Sequence, residues 1–207
     1  PDPTPLPGQT RTRNLLGFKD GTANPDARDT ALMDDLIWLR PSPDEPQWTV
    51  GGSYQVVRVI RMFVEQWDRA ALREQESIIG RHKHSGAPLG RAAETDQPAF
   101  AADPAGARTP LDAHIRLANP RTTESTATRI LRRGFSYSRG VDQAGLLDQG
   151  LAFISYQRRL AHFLAVADRL AGEPLEEYIQ GEGGGFFFAL PGVTGTDDWL
   201  GRSLLES

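Results

Sequence analysis

Apolar and polar positions alternate most clearly over residues 53–64 (SYQVVRVIRMFV), a β-branched run whose period of two marks a strand. Val57, Val59 and Phe63 fall on one face, and Tyr54, Val56, Ile60 and Met62 on the other. Both faces are mainly apolar, so this strand is expected in the interior of its sheet. Asp68 then reads as the N-cap of a helix running to Ile79, with Gly80 as its stop. Residues 81–126 form a polar stretch with interspersed Pro and Gly, too irregular for regular structure throughout. Loops of that length inside a domain are functional or partly disordered.

Two further strands are predicted near residues 130–138 and 151–157, joined by a polar, Gly-containing link. Residues 158–171 read as an amphipathic helix, with Leu160, Phe163, Leu164, Ala167 and Ala171 on one face and Gly172 and Pro174 ending it. Gly183-Gly184-Gly185 then precede Phe186-Phe187-Phe188-Ala189-Leu190, the signature of a buried strand. The order predicts an α+β fold: a ferredoxin-like βαββαβ unit with an antiparallel sheet and a long insertion between the first helix and the second strand. Residues 15–207 are assigned to this domain. Residues 1–14, with four prolines in the first seven positions, read as a linker or the remnant of a longer chain.

Composition narrows the classes. Apolar residues make up 39% of the 207 and charges are well mixed, so a folded chain is expected. A net charge of −4 without a basic stripe argues against nucleic acid as partner. No apolar run approaches the length of a membrane span. The absence of cysteine excludes disulfides, thiolate metal sites and cysteine nucleophiles.

Candidate chemistry gathers in two places. Gly17-Phe18-Lys19-Asp20-Gly21-Thr22-Ala23-Asn24-Pro25 holds a carboxylate between glycines, a setting that lets backbone approach a ligand and is equally ordinary turn chemistry. His114 lies in an apolar-flanked segment ending in Asn119-Pro120, where a hydrogen-bonded core histidine and a ligand are both admissible. His162 falls on the polar face of its helix beside Arg158 and Arg169 and is expected to be solvated. His82 and His84 lack further ligands nearby and read as a surface loop. Arg132 and Arg133 are adjacent on a predicted strand, so only one can point into a pocket, and Arg58 and Arg61 divide likewise. A buried arginine needs a partner, for which an anionic ligand is one candidate.

These residues resemble the dye-decolourising (DyP-type) haem peroxidases. Gly17-Phe18-Lys19-Asp20-Gly21 matches that family's GxxDG signature, and His114 precedes Arg132 by eighteen positions, as the proximal histidine precedes the distal arginine there. The strings GFKDGTANP, DAHIRLANPR and LRRGFSYS are most similar to the exported, iron-uptake-associated deferrochelatase/peroxidase branch. The similarity runs from about Leu15 to Leu204 and corresponds to the C-terminal, haem-binding half of a two-half protein.

The resemblance implies a haem b (iron protoporphyrin IX) enzyme that uses hydrogen peroxide to oxidise dyes, phenols or porphyrinogens. It implies His114 as the proximal iron ligand, Asp20 as the distal acid–base group and Arg132 as its cationic partner. It further implies porphyrin contacts from Gly21, Thr22, Ala23, Asn119, Pro120 and Arg121. Arg81 corresponds to a propionate-binding arginine, and Glu177 to the carboxylate that hydrogen-bonds the proximal histidine, with Glu176 its neighbouring alternative. Trp38, Trp67, Tyr137 and Tyr178 suit either electron relay or core packing. Release of iron from haem with the tetrapyrrole intact and a haem-binding module without turnover are the alternatives on the same site. Pattern alone, without the resemblance, gives a ferredoxin-like ligand-binding domain. Partners implied are peroxide with an organic reductant, or haem itself, together with a second copy or an N-terminal half. Export by the twin-arginine route is the implied localisation.

Overall fold

The computed structural model describes residues 13–207; most of the segment expected as a linker, residues 1–12, lies outside them. In chain order the elements are α1 (Thr30–Leu36), β1 (Ser53–Met62), α2 (Val64–Trp67), α3 (Leu72–Ile79), α4 (His114–Ala118), α5 (Thr123–Ala127), β2 (Leu131–Arg132), β3 (Phe135–Val141), β4 (Leu147–Gln157), α6 (Leu160–Leu170), β5 (Ile179–Ala189) and α7 (Arg202–Leu205). The sheet is antiparallel in the order β2-β4-β1-β5, with β3 also pairing β4. Taking β2 and β3 as one interrupted strand, this is the ferredoxin-like arrangement, with β1 in the interior as its apolar faces require.

Opposed residues in antiparallel strands share a face. Val56, Ser155 and Phe186 therefore lie on one side, and Gln55, Tyr156 and Phe187 on the other. α6 covers the first side through Phe163, whose ring meets Phe153 at 6.1 Å and Phe186 at 6.2 Å. On the opposite side, α1 buries Met33 and Leu36 with Ile37 against Leu131 and Tyr156. The main core joins α2 and α3 to the N-terminal turn. Trp67, fully buried, meets Phe18 and Tyr178 edge-on and donates its indole N–H to the Leu16 carbonyl at 2.9 Å.

Three local expectations change. The helix expected from Asp68 is two helices: Asp68 closes α2, and α3 starts after an extended Ala71. The buried Gln75 amide donates to the carbonyls of Trp67 and Ala70, satisfying the chain where the first helix stops. Gly80 ends α3 in the left-handed conformation, as anticipated. The final strand is longer than expected and contains the three glycines. A Cβ on Gly184 would stand 2.0 Å from the Val57 carbonyl, so the close approach of β5 to β1 requires glycine there. β5 is an edge strand, which leaves Phe186 and Phe187 more than half exposed instead of buried.

His162 is the third correction. It is buried, 8% exposed, with an Nδ1 that has no hydrogen-bond partner among the described residues. It sits beside Phe163 in the first turn of α6, directly after the chain is pinned by Arg158 N–H to the Leu36 carbonyl. Helical periodicity alone does not register that enclosure. Burial lowers its pKa below the ordinary 6.5, reinforced by the charges of Arg158 and Arg159. The unfolded chain therefore takes up a proton at higher pH than the folded one. His162 is expected to cost stability progressively as pH falls below 6.5. Urea unfolding of the parent and His162→Gln chains checks this: the parent should lose more stability between about pH 7 and pH 5.

Candidate functional site

The N-terminal turn is built by short-range bonds. Asn14 Oδ1 accepts from the N–H groups of Leu16 and Phe18, and Gly17 and Gly21 take left-handed φ values of 84° and 75°. Leu16 and Phe18 anchor it in the core. Arg13 fixes it from outside, donating to the carbonyls of Gly17, Lys83 and His84. Asp20 is thereby held with its side chain 15% exposed. Its Oδ1 accepts the Gly21 N–H at 2.7 Å and faces Arg132 Nη1 at 3.5 Å. A pair this long and partly solvated contributes at most about 1 kcal/mol, so its significance lies in placement.

Arg132 comes from β2, opposite Ser155. Its outward backbone groups close a reciprocal pair with Asn24, whose Nδ2 donates to Arg132 O at 2.8 Å and whose Oδ1 accepts Arg132 N–H at 3.1 Å. The carboxamide acts as a one-residue strand partner, and it ties the turn bearing Asp20 to the sheet edge. Asn24 stood in the sequence motif but carried no assigned role.

His114 opens α4. Its Nδ1 lies 2.7 Å from Glu173 Oε2, and Glu173 is 5% exposed. This corrects the expectation for Glu177, which is solvent-exposed. Residues 174–178 form a turn of 3-10 helix that directs Leu175 and Tyr178 inward and Glu176 and Glu177 outward. Glu173, between Gly172 and Pro174, lies within the helix-stop signal that the sequence reading used only as punctuation. α6 thus serves the histidine twice. Arg169 donates to the Leu117 and Ala118 carbonyls at the end of α4, and the chain leaving α6 supplies Glu173.

Ser155 shares its sheet face with Phe153, which packs on Phe163 of α6, and α6 packs on α4. The Asp20–Arg132 and His114–Glu173 pairs therefore border the same side of the sheet. Gly21 is buried, Thr22 Oγ1 donates to Glu94 at 2.9 Å, and Ala23 is exposed. Asn119 Oδ1 accepts from Arg121 N–H and Ser125 Oγ, shaping the bend through Pro120. Arg121 takes a positive φ of 66°, unusual outside glycine, and its buried Nε has no hydrogen-bond partner among the described residues. Burial lowers its pKa from the ordinary arginine value, with Arg129 adding to the effect. Arg81, also buried, donates Nη1 to the carbonyls of Gly86 and Glu94 in its own loop. Trp67 and Tyr178 are core side chains, while Trp38 is 43% exposed and the Arg139 guanidinium lies over the Tyr137 ring. His82 Nδ1 pairs with Glu76, and His84 is exposed.

A sequence profile described as "Dyp-type peroxidase, C-terminal" matches residues 11–194. The chain belongs to the Dyp-type peroxidase family. It is similar to a deferrochelatase of Yersinia pestis, 56% identical over 201 residues, covering 97% of this chain and 46% of the relative. A solved DyP-type peroxidase from Cellulomonas bogoriensis superposes with a TM-score of 0.84 at 37% identity, covering 98% of this chain and 55% of that one. Ferric DtpA from Streptomyces lividans gives 0.82 at 34% identity, covering 99% and 56%. The chain spans about half the length of the curated relatives that it matches.

Replacement of Glu173 removes the buried carboxylate that engages His114 Nδ1. Glu173→Ala is expected to destabilise the chain by about 1–3 kcal/mol. Glu177→Ala, on the surface, should stay within about 0.5 kcal/mol of the parent. Chemical denaturation of the two variants separates the assignments.

Proposed function

We propose that this chain is the haem-binding part of a DyP-type peroxidase, in which His114 would hold the iron and the Asp20–Arg132 pair would handle peroxide. The observation that carries the reading is the pairing itself: an imidazole backed by a buried carboxylate and a carboxylate backed by an arginine border one side of one sheet.

The residues suit haem b. Because Nδ1 of His114 is engaged by Glu173, its Nε2 is the nitrogen left to offer a metal. Among the described residues no group of three or more His, Cys, Asp or Glu could hold a metal ion. One imidazole therefore suits an iron whose remaining ligands come from a porphyrin. Arg121, whose buried Nε has no partner among the described residues, matches a propionate carboxylate. Bound haem supplies the redox-active iron at which peroxide is cleaved. Asp20 uses Oδ1 for Gly21 and Arg132, and its Oδ2 takes a proton from peroxide and returns it to the departing oxygen. Arg132 Nη1 stabilises negative charge that develops on that oxygen. Glu173, accepting from Nδ1–H, raises the basicity of His114.

A second reading on the same residues is release of iron from haem with the tetrapyrrole left intact; the deferrochelatase relatives at 55–56% identity support it. Dyes, phenols or porphyrinogens are the proposed reductants. Export through the twin-arginine route belongs to the proposal too, resting on the motif resemblance.

Titration of the haem-free chain with haem tests the reading. The parent should develop a Soret band, and His114→Ala should lose it or shift its ligation. Asp20→Ala and Arg132→Leu should keep haem while the reaction with peroxide slows by about 10²–10⁴. Full reactivity in both variants would sink the distal assignment. Anaerobic incubation with haem, followed by porphyrin fluorescence, separates the second reading: metal-free protoporphyrin supports iron release, and its absence counts against it.

A further inference from the structure

We propose that Glu94 is a positioning residue for Asp20, a carboxylate strap that sets the turn carrying the distal acid–base group; this deepens the peroxidase reading and rests on it. Glu94 belongs to the long insertion between α3 and α4, far from Asp20 in sequence. Its Oε2 accepts from Lys19 Nζ at 2.7 Å and its Oε1 from Thr22 Oγ1 at 2.9 Å. Lys19 immediately precedes Asp20, and Thr22 follows Gly21. One carboxylate thus grips the turn on both sides of the Asp20-Gly21 unit, with one oxygen for each side.

The grip is built into the loop. Lys19 and Glu94 are 28% and 19% exposed, so their ion pair is partly shielded from water. Arg81 Nη1 donates to the Glu94 and Gly86 carbonyls, which fixes the strap's own backbone. Gly86 has a left-handed φ of 77°, and a Cβ there would stand 2.8 Å from Lys19 Cδ and 3.2 Å from Glu94 Cγ. The loop therefore packs directly on the ion pair because this position carries no side chain. Gly17 repeats the arrangement, since a Cβ would meet Lys83 Cε at 2.4 Å. Loop and turn are closed on each other at two glycine contacts and one shared carboxylate.

Asp20 itself has a weak hold on its place. Its longest-range bond is the 3.5 Å contact to Arg132, partly open to solvent. A proton shuttle must be held within a few tenths of an ångström of its productive position, and groups around it have to supply that restraint. Asn24 restrains the turn on the side of the sheet, and Glu94 restrains it on the side of the insertion.

The test uses the 207-residue chain. In haem-free protein, Glu94→Ala should reduce hydrogen-exchange protection over residues 19–23 by about tenfold, the equivalent of one or two hydrogen bonds. Glu94→Gln, which can keep both contacts, should restore most of it. With haem bound, Glu94→Ala should leave the Soret band in place and slow reaction with peroxide by about tenfold. The same change made in an Asp20→Asn background should slow it no further, because the effect acts through Asp20. Lys19→Met and Thr22→Val cut the same contacts from the other side, so the test survives if Glu94→Ala does not fold. Unchanged exchange in all these variants, or equal slowing with and without Asp20, overturns the proposal. If the parent chain takes up no haem, the peroxidase reading fails while the exchange data still judge the strap.

Discussion

The reciprocal hydrogen bonds between Asn24 and the backbone of Arg132 are the constraint on which the site depends. A two-residue strand at a sheet edge has an outer row of unpaired N–H and C=O groups, which the chain must satisfy or expose. Here a side-chain amide satisfies them, and it comes from the turn that carries Asp20. The same bonds that complete β2 therefore bring a carboxylate and a guanidinium together across 112 positions of sequence. Their own ion pair is too long and too solvated to do this.

The opposite half of the site follows a parallel logic. α4 is only five residues long, and a helix that short has little stability of its own. Arg169 of α6 takes up its terminal carbonyls, and Ile115 fills the space left by Gly80. Glu173 then orients the first residue, His114. The histidine is thus placed by α6 and its exit, which in turn rest on the sheet through Phe163. The insertion loop is held by similar means. Asp103 accepts from the N–H groups of Thr109, Arg108 and Ala107, which keeps its pKa below the usual carboxylate value, and Arg116 stacks over Phe100. Irregular backbone is ordered here by side chains that cap it.

The sheet retains substantial exposed apolar surface, with Phe135, Val141, Phe186 and Phe187 all more than two-fifths accessible. Phe135 and Val141 lie at the β3 edge, and Phe186 and Phe187 at the opposite β5 edge, with β4 and β1 between them. Phe186 shares the α6 side of the sheet, where its ring meets Phe163, and Phe187 faces the α1 side.

Local chemistry was sufficient to read the strands β1 and β4, the long helix α6, the stops at Gly80 and Gly172, and the turn around Asp20. Each of these is dictated by alternation, helical period or the conformational freedom of glycine, which act over a few residues. The positions of His114 and Arg132 within family-like strings were legible for the same reason: a motif is a local object. Which carboxylate meets His114 was not. Glu173 and Glu177 lie in one short segment, and only the sense of a 3-10 turn decides that the first points inward. The burial of His162, the exposure of Phe186 and Phe187, and the grip of Glu94 on Lys19 and Thr22 were likewise invisible. They depend on which strand is the edge and on contacts that span 59 to 112 positions, and such contacts exist only once the sheet has closed.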